Sequence, residues 1–162
     1  QERLGQLLTQ VAGRGGRGQF PGEIFLQTYN SDHPLLEKLV KDNYGSFLQD
    51  ISSEREVTLM PPFRHLALIR ADSTHSDKVI IFLKHVRSIT NSIQPQNRSI
   101  NYIGPLPSML EKRAGRYRYL FQIRTKNRSQ MHSLLTKLTH QMGTIKIPSS
   151  VRWSVDVDPV EL

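Results

Sequence analysis

Two consecutive prolines, Pro61-Pro62, divide this chain of 162 residues into parts with different hydrophobic rhythms. Proline cannot continue a helix interior, and it biases the residue before it toward extended backbone. The amphipathic piece that runs from Phe47 toward Met60 must therefore end there, and we place the main boundary at this dipeptide. Beyond it the period switches between 2 and 3.6 in a set order. FRHLALIRA alternates as a strand, and DKVIIFLKHVRSITNSI puts Val79, Phe82, Leu83, Val86 and Ile89 on one helical face. SINYIGPLPSML reads as a strand running into a Gly-Pro turn, and GRYRYLFQIRT as another strand. RSQMHSLLTKLTHQM is a helix facing inward through Met131, Leu134, Leu135, Leu138 and Met142, and SVRWSVDVD is a closing strand. The order strand-helix-strand-strand-helix-strand makes two crossover halves joined by a central hairpin. It predicts a ferredoxin-like (βαββαβ) α/β sandwich over residues 63–162, with both helices on one face of a four-stranded sheet.

Alternation then assigns the faces. Tyr117, Tyr119, Phe121 and Ile123 lie on one side of their strand, with Arg116, Arg118, Gln122 and Arg124 on the other. Trp153, Val155 and Val157 likewise oppose Arg152, Ser154 and Asp156. The apolar rows need a cover, which the amphipathic helices supply, so the arginine rows are expected to face away from them.

The first sixty residues read differently. Leu4, Leu7, Leu8 and Val11 recur at helical spacing over residues 2–12, and Gly13, Gly15 and Gly16 then break the helix. After Pro21-Gly22, EIFLQTY reads as a short strand. Asp32 can cap a helix carrying Leu35, Leu36, Leu39, Val40 and Tyr44. Residues 31–62 are thus expected to be a helical connector.

Composition narrows the function. The chain is 37% hydrophobic and 22% charged, an ordinary globular balance. With no Cys, a disulfide framework and any thiolate metal site are excluded, and a reducing, cytoplasmic setting is expected. No apolar run approaches a membrane span. The net charge of +8 is lopsided: residues 1–77 carry −2, residues 78–155 carry +13 with Glu111 their lone acid, and the last seven residues carry −3. Such a segment favours a polyanionic partner, nucleic acid or an acidic peptide tail. The chain begins at Gln1 inside a helical pattern, and we read it as part of a longer protein.

QVAGRGGR, Gln10 to Arg17, places two arginines three residues apart on one helix face beside three glycines. A planar, permanently charged guanidinium suits phosphate oxygens, and glycines let a ligand approach the backbone. Gln10-x-x-Gly13-Arg14-x-x-Arg17 resembles motif VI of superfamily 2 helicases, which lies on their second RecA-like lobe. QVAGRGGRGQFPGEIFLQTYNSDHPLL, then LMPPF, IGPLPSMLEKRAGRYRY and VRWSVDVDPVEL, extend the resemblance. Nearly the whole chain is similar to the C-terminal part of the bacterial primosomal protein N-prime family of replication-restart helicases. The resemblance implies that residues 1–30 end a RecA-like helicase lobe, with the ferredoxin-like domain following. It implies a 3′-to-5′ DNA helicase, ATP-dependent and Mg²⁺-requiring, that binds abandoned forks and works with other primosome proteins in the bacterial cytoplasm at the nucleoid. Arg17 would be the arginine finger, with Arg14, Gln10 and Gly13 completing the motif. Gly15 stands where the family often has Ala. The family's phosphate-binding loop, acidic Mg²⁺ motif and zinc element are not in this sequence, so ATP hydrolysis by this chain alone is not expected.

The densest basic cluster is EKRAGRYRY, with Lys112, Arg113, Arg116 and Arg118 around Ala114-Gly115. At a hairpin tip it can follow a phosphate backbone without reading bases. The family also engages the acidic, aromatic-ended tail of single-stranded DNA-binding protein. Holding such a tail needs a basic rim beside an apolar groove, and Arg128 with His132 one turn later could supply that rim. No His, Asp or Glu set stands at metal-ligand spacing. An alternative is a free-standing ferredoxin-like RNA-binding or ribosome-associated module, which would want exposed aromatics on its central strands.

Overall fold

The computed structural model describes residues 2–15, 25–30, 32–41 and 44–159. They fall into two compact units, residues 1–58 and 59–162.

The first unit contains helices α1 (Glu2–Ala12), α2 (Pro34–Lys41) and α3 (Tyr44–Val57). Its apolar centre is small: Phe47 and Ile51 of α3 are buried, and Tyr44 stacks on Phe47 with ring centroids 6.1 Å apart. Gly5 admits that ring, since a Cβ there would stand 2.3 Å from Phe47 Cε1. Lys38 of α2 pairs with Asp50 of α3 at the surface, where such pairs add little stability. The expected strand at residues 23–29 is not found in its described part. Residues 25–30 are irregular and expose Phe25, Leu26 and Tyr29. A strand is held by its neighbour's ladder, and none of the described residues of this unit forms one.

The second unit runs β1 (His65–Ser73), α4 (Ser76–Ile93), β2 (Ile100–Arg113), β3 (Arg116–Thr125), α5 (Arg128–Thr144) and β4 (Arg152–Val157). All neighbouring strands are antiparallel, in the order β2-β3-β1-β4. β1 and β2, joined through α4, therefore lie on either side of β3. β3 and β4, joined through α5, lie on either side of β1.

Both helices lie on one face. Ala67, Ile69 and Ala71 of β1 and Phe121 and Ile123 of β3 are buried in one cluster with Val79, Phe82, Leu83 and Val86 of α4. Met131, Leu134, Leu135, Leu138 and Met142 of α5 complete it, and Trp153 and Val155 of β4 pack against it. These are the helical faces expected from periodicity. The Tyr102 hydroxyl donates to the Gln94 carbonyl at 2.8 Å, and burial pushes its pKa from 10.0 up to about 12.

β2 departs from expectation. Instead of turning at Gly104-Pro105, it continues to Arg113 through two register shifts, between Ile103 and Leu106 and between Pro107 and Lys112. Gly104 makes the first possible: at φ +113 it lies where side chains are rarely tolerated, and a Cβ would come within 2.8 Å of the Leu120 carbonyl. Arg87 of α4 donates to the Gly104 carbonyl at 2.6 Å.

Candidate nucleic-acid interface

The sheet face away from the helices is where alternation places the arginines. Across β1 and β3 it pairs Leu66 with Arg124, Leu68 with Gln122, Arg70 with Leu120 and Asp72 with Arg118. On the other side of β1, Asp72 meets Arg152, Arg70 meets Ser154 and Leu68 meets Asp156. Leu66, Leu68 and Leu120, with Met60 against them, form a small buried apolar cluster on this side of the sheet. Among the described residues, the central strands β1 and β3 carry no aromatic side chain on this face.

Two carboxylates hold two of the arginines in place. Arg70 Nε donates to Asp156 Oδ2 at 3.1 Å. Arg116 pairs with Asp72 and also donates through Nη2 to the carbonyls of Asp72 and Ser150, each at 3.0 Å. Arg118, Arg152 and Arg70 line a cleft of about 310 Å³ with Asp72, Ser108 and Ser154. Arg124 Nη2 donates to Gln122 Oε1 at 2.8 Å, and partial burial draws its pKa below the usual arginine value. Arginine begins so far above neutrality that it keeps its charge.

The β2–β3 hairpin turns at Ala114 and Gly115, with φ of 50° and 74°. Gly at the second position takes this left-handed backbone without penalty. Lys112 and Arg113 at the tip are exposed. Lys112 Nζ stands 4.7 Å from the centre of the Tyr117 ring and 3.3 Å from its hydroxyl. Glu111 accepts the Tyr119 hydroxyl at 2.7 Å, the main cause of that phenol's raised pKa. Within the bulge beside the tip, Met109 is 95% exposed.

The remaining expected site residues lie elsewhere. Gln10 is exposed on α1, and Gly13 and Arg14 form the turn that follows. Their amides bond to the carbonyls of Thr9 at 2.9 Å and Val11 at 3.1 Å, and Arg14 is exposed. Arg17 lies outside the described residues. Arg128 opens α5 and His132 follows one turn later, both exposed. Both line a groove of about 330 Å³ floored by Met131, Leu135, Val155 and Val157. His65 and Asp158 line it too. Among the described residues no three His, Asp or Glu side chains gather to hold a metal ion, and no helix is long and apolar enough to cross a membrane.

Sequence reasoning placed Arg152 on the arginine-bearing face without naming it as a site residue, and it did not single out Arg70. Their signal was present in the period-2 alternation that marked Arg118, since all three share strand parity with that face. The position of Arg116 was legible, but its engagement by Asp72 was not, because that partner is 44 residues away.

The second unit is thus a basic α/β domain with one helix-covered sheet face and one arginine-bearing face. The model of the primosomal protein N C-terminal domain matches residues 56–160, and the chain belongs to that family. A relative named replication restart protein PriA, from Haemophilus influenzae, is 36% identical over 100% of this chain and 22% of its own length. Its counterparts from Synechocystis and Bacillus subtilis are 31% and 28% identical, over 99% and 98% of this chain and 18% and 19% of theirs. The chain spans about a fifth of the length of these relatives.

Proposed function

We propose that this chain is the C-terminal portion of an ATP-dependent 3′-to-5′ DNA helicase that recognises abandoned forks, and that its second unit binds branched DNA and docks partners. The observation that carries this reading is the basic hairpin on a domain of the primosomal family. Lys112 and Arg113 are exposed at its tip, Arg118 stands at its root, and the nearby acid Glu111 is engaged by Tyr119. Arg116 serves the site by tying the strand just past the turn to Asp72 and Ser150. Side chains of this kind can grip phosphates without reading bases, which suits selection of fork shape over sequence.

The strand order β2-β3-β1-β4, with both helices on one face, supports a ferredoxin-like reading of residues 63–162. We assign residues 1–30 to the end of a RecA-like lobe and residues 31–62 to a connector. In the longer protein Arg17 and Arg14, supported by Gln10 and Gly13, would face nucleotide phosphates. The exposure of Arg14 at a glycine-flanked helix end suits that role. ATP and Mg²⁺ would be held by other parts of that protein, as would the family's zinc. The groove of Arg128 and His132 would take the acidic, aromatic-ended tail of single-stranded DNA-binding protein, with Arg128 at its edge and an apolar floor suited to the two ends of such a peptide. Other primosome proteins are further partners, and the bacterial cytoplasm at the nucleoid is the proposed location.

The test is fluorescence anisotropy of this chain with forked, duplex and single-stranded DNA at two salt concentrations. Tighter, salt-sensitive binding of the fork, weakened in Lys112→Glu/Arg113→Glu/Arg118→Glu, is expected. A folded sample that binds none of the three DNAs would overturn the DNA-binding reading.

A further inference from the structure

A second basic cleft opens at the other end of the arginine-bearing face. Arg64 reaches it from the segment before β1, Arg98 from the turn before β2, and Arg124 from β3. They line a space of about 230 Å³ together with Asn97, Ser99 and Asn101, and no acidic residue is among its lining. The turn bearing Arg98 is tied at both ends. Asn97 and Ile100 exchange backbone hydrogen bonds of 3.0 and 3.2 Å, and Asn97 Oδ1 accepts the Ser99 amide at 2.7 Å. Arg64 stretches over this turn through long bonds to the carbonyls of Ser99, 3.5 Å, and Arg98, 3.4 Å. At such lengths these bonds are weak, so the guanidinium keeps donor capacity for a ligand.

Three like charges brought into one cleft repel, and burial at Arg124 makes its charge costlier still. A structural purpose would be met by one arginine on the turn carbonyls. Three, from three separate elements, match the oxygens of a phosphate, for which the planar guanidinium fork is suited. Along β3, Arg124 is six residues from Arg118, which at strand rise is about 20 Å.

We infer that the cleft of Arg64, Arg98 and Arg124 is a phosphate-binding site that grips a nucleic-acid backbone at the far end of the arginine-bearing face from the hairpin. The inference deepens the proposed DNA-binding role and rests on it. A strand held at both ends would have to span the roughly 20 Å between the two sites. That span excludes the shortest oligonucleotides from touching both sites.

The test is NMR of the isotopically labelled chain, following arginine Nε–Hε signals during titration with a thymidylate 12-mer, a thymidylate 3-mer and inorganic phosphate. The 12-mer is expected to shift Arg64, Arg98, Arg124 and Arg118 with one common midpoint, and the 3-mer to bind far more weakly. Arg98→Glu is expected to weaken the 12-mer about tenfold and to flatten its salt dependence by a slope of about 0.7. Arg98 is exposed, so an otherwise unchanged amide spectrum will certify the fold of this variant. Arg118 shifting with the 12-mer while Arg64, Arg98 and Arg124 stay still would overturn the inference and leave the hairpin reading standing. Inorganic phosphate shifting the cleft while the 12-mer does not would reassign it to a free phosphate-bearing small molecule and overturn it as a backbone site. A chain that binds forked DNA but none of the 12-mer would overturn the inference and leave the DNA-binding reading standing.

Discussion

The two faces of the sheet use the same alternation for opposite ends. On the covered face Ile69, Phe121 and Ile123 meet α4 and α5 with almost no surface left to water. On the arginine-bearing face the intervening positions carry Arg70, Arg118, Gln122 and Arg124 around three leucines. One side holds the fold together by burial. The other displays charge on the rigid frame that burial creates, and it devotes two acids, Asp72 and Asp156, to fixing two of its arginines. The difference teaches that basic residues here are of two kinds. Arg70 and Arg116 are parts of the structure, whereas Lys112 and Arg113 are parts of the surface.

The sharpest way to break this contrast is at the core. Ile123→Ala is expected to cost about 2–5 kcal/mol by chemical denaturation, because the cavity would open under two helices. A loss below about 1 kcal/mol, outside the range for a sealed cavity, would mean the helices do not cover that face. Next in size, Arg116→Ala is expected to lose about 1–3 kcal/mol, since Asp72 and two carbonyls lose their donor together. Arg113→Ala should leave the denaturation midpoint unchanged. If both substitutions leave stability intact, the division into structural and surface arginines is wrong. Smaller again, Lys112→Glu/Arg113→Glu is expected to weaken duplex binding about tenfold at low salt, or about 1.4 kcal/mol. Its salt slope should fall by about 0.9 for each phosphate no longer neutralised. Equal weakening at every salt concentration would argue that these side chains do not meet phosphates.

The smallest effect separates the faces by pH. Tyr102 is a covered-face phenol whose neutral form the fold favours, with its pKa raised from 10.0 to about 12. Its contribution is therefore complete below pH 10 and is lost as pH rises through about 12. Tyr102→Phe is expected to cost about 1 kcal/mol at pH 8 through the missing bond to Gln94. Parent and variant should converge between pH 10 and about 12 in thermal unfolding. A gap that stays constant across that range would show that the hydroxyl is not buried in the folded chain.

The covered face was readable because period alone determines it: Val79, Phe82, Leu83 and Val86 recur at helical spacing, and Phe121 and Ile123 at strand spacing. The Gly-Pro stretch was misread because a bulge and a turn use the same residues. What distinguishes them is whether β3 continues alongside, and that is a tertiary fact. The segment at residues 25–30 has a strand's composition but no ladder among the described residues of its unit for that propensity to act through. The far cleft was the least legible feature. Arg64, Arg98 and Arg124 are separated by 34 and 26 positions and follow no shared period, so only the closed sheet brings them together.

The irregular course of β2 also bears on how this domain keeps to itself. An outer strand is a template on which another chain can zip, and this domain carries bare Met109 and Leu110 beside such a rim. Pro105 and Pro107 offer no amide hydrogens, and the displaced residues between Pro107 and Lys112 prevent a straight partner from lying alongside. The rim is thereby guarded against fibrous stacking of one copy of this domain along another.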